Sequence, residues 1–504
     1  MSFAVGTELI SRVVGYKITK GDFREVSPNL PQKIAIIGEA NTANQTNLDI
    51  TGKQITTSKQ AGDLYGYGSP IHLMSRIVLP VSSDGVGGIP VVIYPQITPD
   101  GATAKVLTIT PTGVVTKNGT HRVFISGRDG VDGNFYDINL EIGDSTSEIT
   151  AKIYDAVNNT LASPVIATDD SYKAILTTKW KGLTADGTNV SVDTATDDLG
   201  ITYTIGSTQS GAGTPSVQSA LDQFGNEWIT IVVNGYGVQS AVMQTLESFN
   251  GRPDQDNPTG RYRGIVMKPF IALTGSVLEE EATVTDARKE QVTIAICPAP
   301  LSKGYHFEAA ANMAVLFARV NQDTPHLDVA GRKYPDMPTP INIGAMNIYE
   351  NRDAFVKKGC STVSLSAGFY QVEDFVTTYH PIGENPPQFR YCRNLVLDFN
   401  VRYTYYLLEQ INVVDHAIAR DTDIVSVDKV VKPKQWKQVI FNMFLELVQR
   451  ALIVDSDFSQ ASTTVNLSTT NPDRLETFFR YKRSGFDRIS STTAEAGFNF
   501  GTLN

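Results

Sequence analysis

Six histidines, His72, His121, His306, His326, His380 and His416, are the residues best suited to bind a metal or move a proton near neutral pH. Their spacing supports neither role. None forms an H-E-x-x-H, an H-x-x-H or a Cys/His cluster, so a metal centre is not expected. Cys297, Cys360 and Cys392 are far apart and form no C-x-x-C pair, the pattern of a chain that keeps reduced thiols. A G-x-S-x-G elbow and a G-x-x-x-x-G-K-[ST] loop are both missing. The segment most open to an enzymatic reading is Gly235-Tyr-Gly237-Val-Gln-Ser240, which follows a strand pattern and opens a helix pattern. In that context helix N–H groups can hold a pyrophosphate. The third position is Ser240 rather than Gly or Ala, and Asp254 and Asp256 fall in a loop rather than at a strand end. A tight β-to-α turn is therefore expected, with a cytoplasmic dinucleotide-binding α/β enzyme as the alternative from a different class.

Three further constellations have plainer readings. Asp254-Gln-Asp256-Asn257 and Asp455-Ser-Asp457 begin like calcium loops but lack Gly at the sixth place and Glu at the twelfth, so they read as solvated acidic turns. Tyr403, Tyr405 and Tyr406 lie on a helix pattern among apolar neighbours and are expected in the core rather than on a base-stacking platform. Lys429, Lys432, Lys434 and Lys437 put four positive charges into nine residues at the start of an amphipathic helix. Cations are disfavoured there by the helix dipole, and an external anionic partner would offset that.

The elements that must position these residues follow from patterning. With 504 residues and 41% hydrophobic content the chain reads as two to four domains. A net charge of -10 argues against nucleic acid as the main partner. Met1 to Ile10 lack the features of a signal peptide and no run of about 18 apolar residues occurs, so folding in a cytoplasm without direct membrane insertion is expected.

Residues 1–25 read as an extended arm carrying Val5, Leu9, Val13, Val14 and Tyr16. Lys33-Ile-Ala-Ile-Ile-Gly38 predicts a strand buried on both faces; Ser58 to Leu64 and Pro70 to Leu79 predict helices, the second capped by Ser69; Pro90 to Tyr94 predicts the next strand. These belong to the first part of an α/β domain, residues 26–101. Residues 102–210 alternate apolar and polar residues between turn signals and predict an inserted antiparallel β domain holding one helix, Ser147 to Val157. Residues 211–345 resume the alternation with helix 216–224, strand Trp228 to Val233, helix 238–249, strand Ile265 to Leu273, helix 277–289, strand Val292 to Cys297 and helix 305–320. Residues 346–491 carry a short helix stopped by Gly359, a strand pair at 361–365 and 370–379, a long core helix at 391–420, a helix from Pro433 to Ala451 and a strand at 475–481. Residues 492–504 read as a second arm in which Phe498 and Phe500 point the same way.

Tyr349-Glu-Asn-Arg-Asp-Ala-Phe-Val-Lys-Lys-Gly-Cys-Ser-Thr-Val363, then Gln371-Val-Glu-Asp-Phe-Val-Thr-Thr-Tyr379, then the long helix from Arg390, resembles the conserved core of contractile phage tail sheath proteins. Pro31-Gln-Lys-Ile-Ala-Ile-Ile-Gly38, Gln60-Ala-Gly-Asp-Leu-Tyr-Gly-Tyr-Gly-Ser69 and Asn471-Pro-Asp-Arg-Leu475 resemble the Mu-like branch in particular. The resemblance implies an α/β multidomain sheath fold with a mixed α/β core, an inserted antiparallel β domain and extended N- and C-terminal arms. It implies no catalytic residue and no cofactor. It further implies self-association as stacked hexameric rings in a helix around a tail tube, with tail tube, baseplate and tail terminator proteins as partners. The arms, through Val5, Leu9, Val13, Val14, Tyr16, Phe498 and Phe500, would complete sheets of neighbouring copies, and Lys429, Lys432, Lys434 and Lys437 would mark a tube-facing segment. The place of action would be a virion tail assembled in a bacterial host cytoplasm, where contraction drives the tube through the host envelope during genome delivery. A phage-derived bacteriocin or injection machine is the nearest alternative.

Overall fold

The computed structural model describes residues 28–496 except 83, 84, 195–197, 255 and 386. Five strands rich in β-branched residues form a parallel sheet in the order Ile294–Pro298, Ile271–Ser276, Ile231–Asn234, Ile34–Glu39 and Val91–Gln96, and Lys53–Ile55 adds an antiparallel edge. Every residue of the five parallel strands is buried. The two-residue period of a strand sends alternate side chains to two different cores. Ile34, Ile36, Val91, Ile93, Val233 and Leu273 face one, together with the helix His306–Asp323 and the helix Pro70–Val78. Ala35, Ile37, Val92, Val232, Ala272 and Ile296 face the other, under the helix Ser240–Asn250. Helices on both faces explain why these strands read as continuous apolar runs.

Local signals place the helices. Ser69 accepts the N–H of His72 and Pro70 opens the helix, the arrangement expected from the sequence. Ser145 and Glu148 form a reciprocal capping box at Thr146–Asn158, whose Ile149, Ile153 and Val157 are buried. The helix His306–Asp323 crosses the sheet closely: a Cβ built on Gly275 would lie 1.7 Å from the His306 carbonyl oxygen.

Residues 102–210 hold a four-stranded antiparallel sheet in the order Ile201–Gln209, Val106–Gly113, Ala174–Thr178, Val165–Asp169. A three-stranded antiparallel sheet, Val190–Asp193, Gly119–Ile125, Asp137–Leu140, lies beside it over a separate apolar core. Polar links seat this region on the parallel sheet. Arg128 donates to Glu308 at 3.0 Å and to Asp336 at 2.7 Å, and Thr184 bonds Glu39 at 2.5 Å.

Beyond residue 346, the hairpin Thr362–Ser366 with Phe369–Asp374 packs Val363, Tyr370 and Val372 into the same core as the parallel sheet. The helix Cys392–Asn412 spans two cores, giving Leu395, Val396 and Phe399 to the first and Leu397 and Val401 to a fourth that contains Trp436, Ile440, Met443, Phe444 and Leu447 of the helix Pro433–Gln449.

Four expectations are corrected. The helix foreseen at 277–289 shrinks to Ala282–Asp286, because the Ser276 hydroxyl accepts the Leu278 N–H and donates to Glu281, and the Val277 carbonyl accepts the Leu301 N–H. The strand foreseen from Ile265 starts at Ile271, since residues 263–267 turn and Arg261 ties up the carbonyls of Lys268, Gly225 and Glu227. The long helix ends at Asn412 rather than Arg420: Asp415 takes the left-handed conformation at φ 59° and Ala417–Ile418 becomes a strand. Of the tyrosines expected in the core, Tyr403 and Tyr405 are half-buried and Tyr406 is exposed.

Gly275→Ala is expected to destabilise the fold by about 3 kcal/mol, because the helix backbone must move to admit a methyl group. A urea unfolding midpoint measures it, and an unchanged midpoint would refute the close-packing account.

Candidate assembly surfaces

The chain leaves Ile34–Glu39 toward one neighbour, Val91–Gln96, and later returns on its other side at Ile231–Asn234. The crevice beyond such a reversal is where parallel α/β sheets commonly bind ligands. Here protein atoms occupy it. A Cβ on Gly235 would sit 2.5 Å from the carbonyl oxygen of Ile37, and one on Gly237, at φ +57°, would sit 2.6 Å from the His306 ring. Asn234 closes the turn by donating to the Gly237 carbonyl at 2.9 Å and accepting the Tyr236 N–H at 3.0 Å. The two glycines thus make room for a carbonyl and an imidazole, and the segment is a tight β-to-α turn.

The polar groups of the crevice are titration-shifted by burial. Glu39, at the end of the central strand, is pushed up to about 8 by desolvation, against the opposing hydrogen bond from Thr184. His306 is pushed down to about 4, also by desolvation, with the Gly235 carbonyl acting in the other direction. Both groups are therefore mainly neutral at pH 7, consistent with a packed seam between the inserted region and the sheet.

The acidic turns have local duties. Asp254 accepts the Asp256 N–H at 3.0 Å, an Asx turn on the surface. Asp455, at φ 59°, caps the helix Ser456–Ser462 through the Phe458 N–H and pairs with Lys482 at 2.5 Å. Among the described residues no group of three or more His, Cys, Asp or Glu could hold a metal ion.

The four lysines lie where the helix Pro433–Gln449 begins. Lys429 and Lys434 are exposed, Lys432 reaches the Asp423 carbonyl and Lys437 lies 5.4 Å over the Phe441 ring. Asp421 accepts the Lys434 backbone N–H at 2.9 Å, so a carboxylate of the same chain also faces the helix start. Sequence reading assigned that compensation to an external anion and missed Asp421, which lies thirteen residues upstream.

Next to these lysines, Ala417–Ile418 pairs in parallel with Val430–Val431, and these two strands form a sheet of their own. A groove of about 740 Å³ runs between Ile418, Trp436 and the strand Leu475–Phe478, lined by four carboxylates, Glu409, Asp415, Asp473 and Glu476, against His416 and one cation, Arg474, which pairs with Glu476 at 3.2 Å. Sequence reading missed this acidic groove, because its carboxylates come from separate stretches of chain. Val5, Leu9, Val13, Val14, Tyr16, Phe498 and Phe500 lie outside the described residues.

A parallel sheet with an inserted antiparallel region and a further lobe beyond residue 346 makes the chain a multidomain mixed α/β protein. Its sequence is similar to that of the Mu-like prophage FluMu tail sheath protein of Haemophilus influenzae, 23% identical over 382 residues, covering 72% of this chain and 73% of the relative. The resemblance to contractile tail sheath proteins, seen first in short motifs, thus extends over most of both chains. No family model matches the sequence. Among solved structures, the sheath tail protein of Desulfitobacterium hafniense aligns over 93% of this chain and 100% of its own, with 11% identity and a TM-score of 0.43. The contracted helical sheath of the anti-feeding prophage aligns over 97% and 100%, with 11% identity and a TM-score of 0.45.

The Glu39 seam has a pH signature. Its folded pKa lies above the unfolded value, so its stabilising contribution is complete at low pH and is lost as pH rises toward about 8. His306 and His72, both lowered to about 4, act in the opposite sense below about 6.5, which leaves pH 6.5 to 8 as the window where Glu39 acts without them. Glu39 should contribute a fall of at most about 1.4 kcal/mol per pH unit across that window, with Glu247, raised to about 7, adding to it only in the lower part, and Glu39→Gln should make the fall shallower. Chemical denaturation at several pH values tests this; parallel slopes for both proteins would reject it.

Proposed function

We propose that this chain is the structural subunit of a contractile tail sheath, a non-enzymatic protein that polymerises as stacked hexameric rings in a helix around a tail tube. The observation that carries the reading is the similarity to the FluMu tail sheath protein across nearly three quarters of both chains. Its partners are further copies of itself, the tail tube protein, and baseplate and tail terminator proteins. It is assembled in a bacterial host cytoplasm, resides in the virion tail, and contracts to drive the tube through the host envelope during genome delivery.

Assembly rests on the two terminal arms. Two-stranded pairs are marginal in water, and the Ala417–Ile418 and Val430–Val431 pair has only two residues on each side. An extended segment from a neighbouring copy would gain main-chain hydrogen bonds at such an edge and stabilise it in return. Charge favours the N-terminal arm for the adjoining acidic groove: Arg12, Lys17 and Lys20 fall in a stretch, Arg12 to Lys20, that contains no Asp or Glu. Val13, Val14 and Tyr16 supply its apolar contacts, while Phe498 and Phe500 serve the C-terminal arm. The exposed Lys429 and Lys434, with Lys432 and Lys437, form the tube-facing segment.

Contraction needs no nucleotide in this scheme. An extended lattice laid down on the tube relaxes to a wider, shorter one that buries more surface between copies. At roughly 25 cal/mol per Å², an extra 400 Å² of apolar burial per subunit contributes about 10 kcal/mol before entropy costs. Tethering through the arms lets neighbours slide and rotate while staying linked.

Electron microscopy of the purified protein at high concentration should show long hollow sleeves, and deletion of residues 1–20 or 493–504 should abolish them while circular dichroism stays native. Monomers at every concentration would refute the sheath reading, and sleeves from both truncated chains would refute the arms.

A further inference from the structure

The loop between the strands Ala417–Ile418 and Val430–Val431 is exposed along its whole tip, residues 420–429. Ile424 is 102% exposed and Val427 69%, beside Val425, so three branched apolar side chains stand in water together. Asp421, Asp423 and Asp428 surround them. The base of the tip is fixed: Asp423 accepts the Arg420 N–H at 2.9 Å, Asp421 accepts the Lys434 N–H at 2.9 Å, and Lys432 holds the Asp423 carbonyl. An apolar tip held out in this way, rather than folded onto its own lobe, is the form of a docking element.

A second surface has the opposite character. A groove of about 910 Å³ is lined by Arg393, Arg480, Lys482, Arg483 and Arg488 together with six aromatic rings, and no carboxylate lines it. In a chain with a net charge of -10, such a concentration of cations stands apart. Phe458 and Phe478 are exposed there, and Arg480 stacks over the Phe478 ring at 5.6 Å. Carboxylates outside the lining pair with three of the cations: Asp398 with Arg483, Asp328 and Asp374 with Arg488, and, at the surface, Asp455 with Lys482. Arg480 has no carboxylate partner among the described residues.

We propose that the acidic apolar tip, residues 421–428, docks into the basic aromatic groove between residues 387–394 and 478–488 of a second copy of this chain. Charge supports the pairing, since three carboxylates meet a groove that has no carboxylate in its lining and presents the exposed Arg480, the other cations being paired or buried, and so does apolar content, since Ile424, Val425 and Val427 meet exposed phenylalanines. The contact joins two different surfaces, so it repeats from copy to copy in an open or ring-shaped series instead of closing a dimer. The inference rests on the sheath reading and adds to it a contact independent of both arms.

Two chains with one added cysteine each test the contact, Ser426→Cys on the tip and Gln388→Cys in the groove, both at exposed positions. The native cysteines are all buried, so a short bis-maleimide reagent reacts selectively with the introduced ones. When the two chains are mixed and assembled, a covalent heterodimer should form, and it should be lost when Ile424→Asp and Val427→Asp are added to the tip chain. Sleeves that assemble from the mixture without any heterodimer would overturn the tip contact and leave the sheath reading standing. Cross-linking of the tip to co-assembled tube protein, or of a Ser426→Cys, Gln388→Cys double variant within one isolated chain, would likewise overturn it. Failure of the unmodified protein to assemble at all would instead count against the sheath reading.

Discussion

Two residues on each of two strands, Ala417–Ile418 against Val430–Val431, cannot hold a sheet together by themselves, because so few hydrogen bonds do not repay the ordering of the chain. The pair persists because its ends are anchored elsewhere. One strand follows the helix Cys392–Asn412 and the other leads straight into Pro433–Gln449, and both helices are locked into one apolar core by Leu397, Val401, Trp436 and Ile440. A rigid pair of helices therefore presents unfinished backbone. The cost of leaving that backbone unfinished is what an assembling neighbour can remove, and the arm contact proposed above exploits it, while the tip between the same two strands acts through its side chains.

The parallel sheet, by contrast, is finished, and this difference separates the stable body from the short two-stranded pairs elsewhere in the chain. The parallel sheet has every residue of its five strands buried, with separate cores on its two faces. The crevice at its topological switch, where a related architecture would bind a cofactor, is closed by Thr184, Trp180 and His306. Burial there holds Glu39 and His306 mainly neutral, so the inserted region sits on the sheet through hydrogen bonds and packing rather than through a pair of opposite charges. Two charged links are the exceptions: Arg128 joins the insert to Glu308 on the helix His306–Asp323 and to Asp336 beyond it, and Asp132 of the insert pairs with Arg76 on the helix Pro70–Val78 at 2.9 Å.

How far the sequence can be read depends on whether a signal is local. Ser69 with Pro70, and Lys33 to Gly38, specify their elements within a few residues, and the structure has both. The helix expected over 277–289 failed because the Ser276 side chain engages Leu278 and Glu281 and Leu301 takes the Val277 carbonyl, which no periodicity records. The end of the long helix was misplaced for a similar reason: Val414 and Ala417 continue an apolar spacing, but the chain turns at Asp415 and leaves both in water. At the candidate surfaces the lysine cluster was legible because its members are sequence neighbours. The acidic groove was not, since Glu409, Asp415 and Asp473 meet only in the fold.

Exposed apolar residues were the least legible feature, because hydropathy assigns Ile424 and Val427 to a core as readily as Ile440. In an isolated chain such residues are a solubility hazard, and the surrounding Asp421, Asp423 and Asp428 keep them in solution by charge. The same carboxylates make docking selective, since an apolar surface without cations would have to desolvate them unpaired. Screening by salt weakens the electrostatic part of such a contact and leaves the apolar part, so the tip combines a steering term that responds to ionic strength with a holding term that does not. A lattice that must stay assembled while its subunits shift is served by that division, because long-range attraction guides re-docking while buried apolar area sets how firmly each state is held.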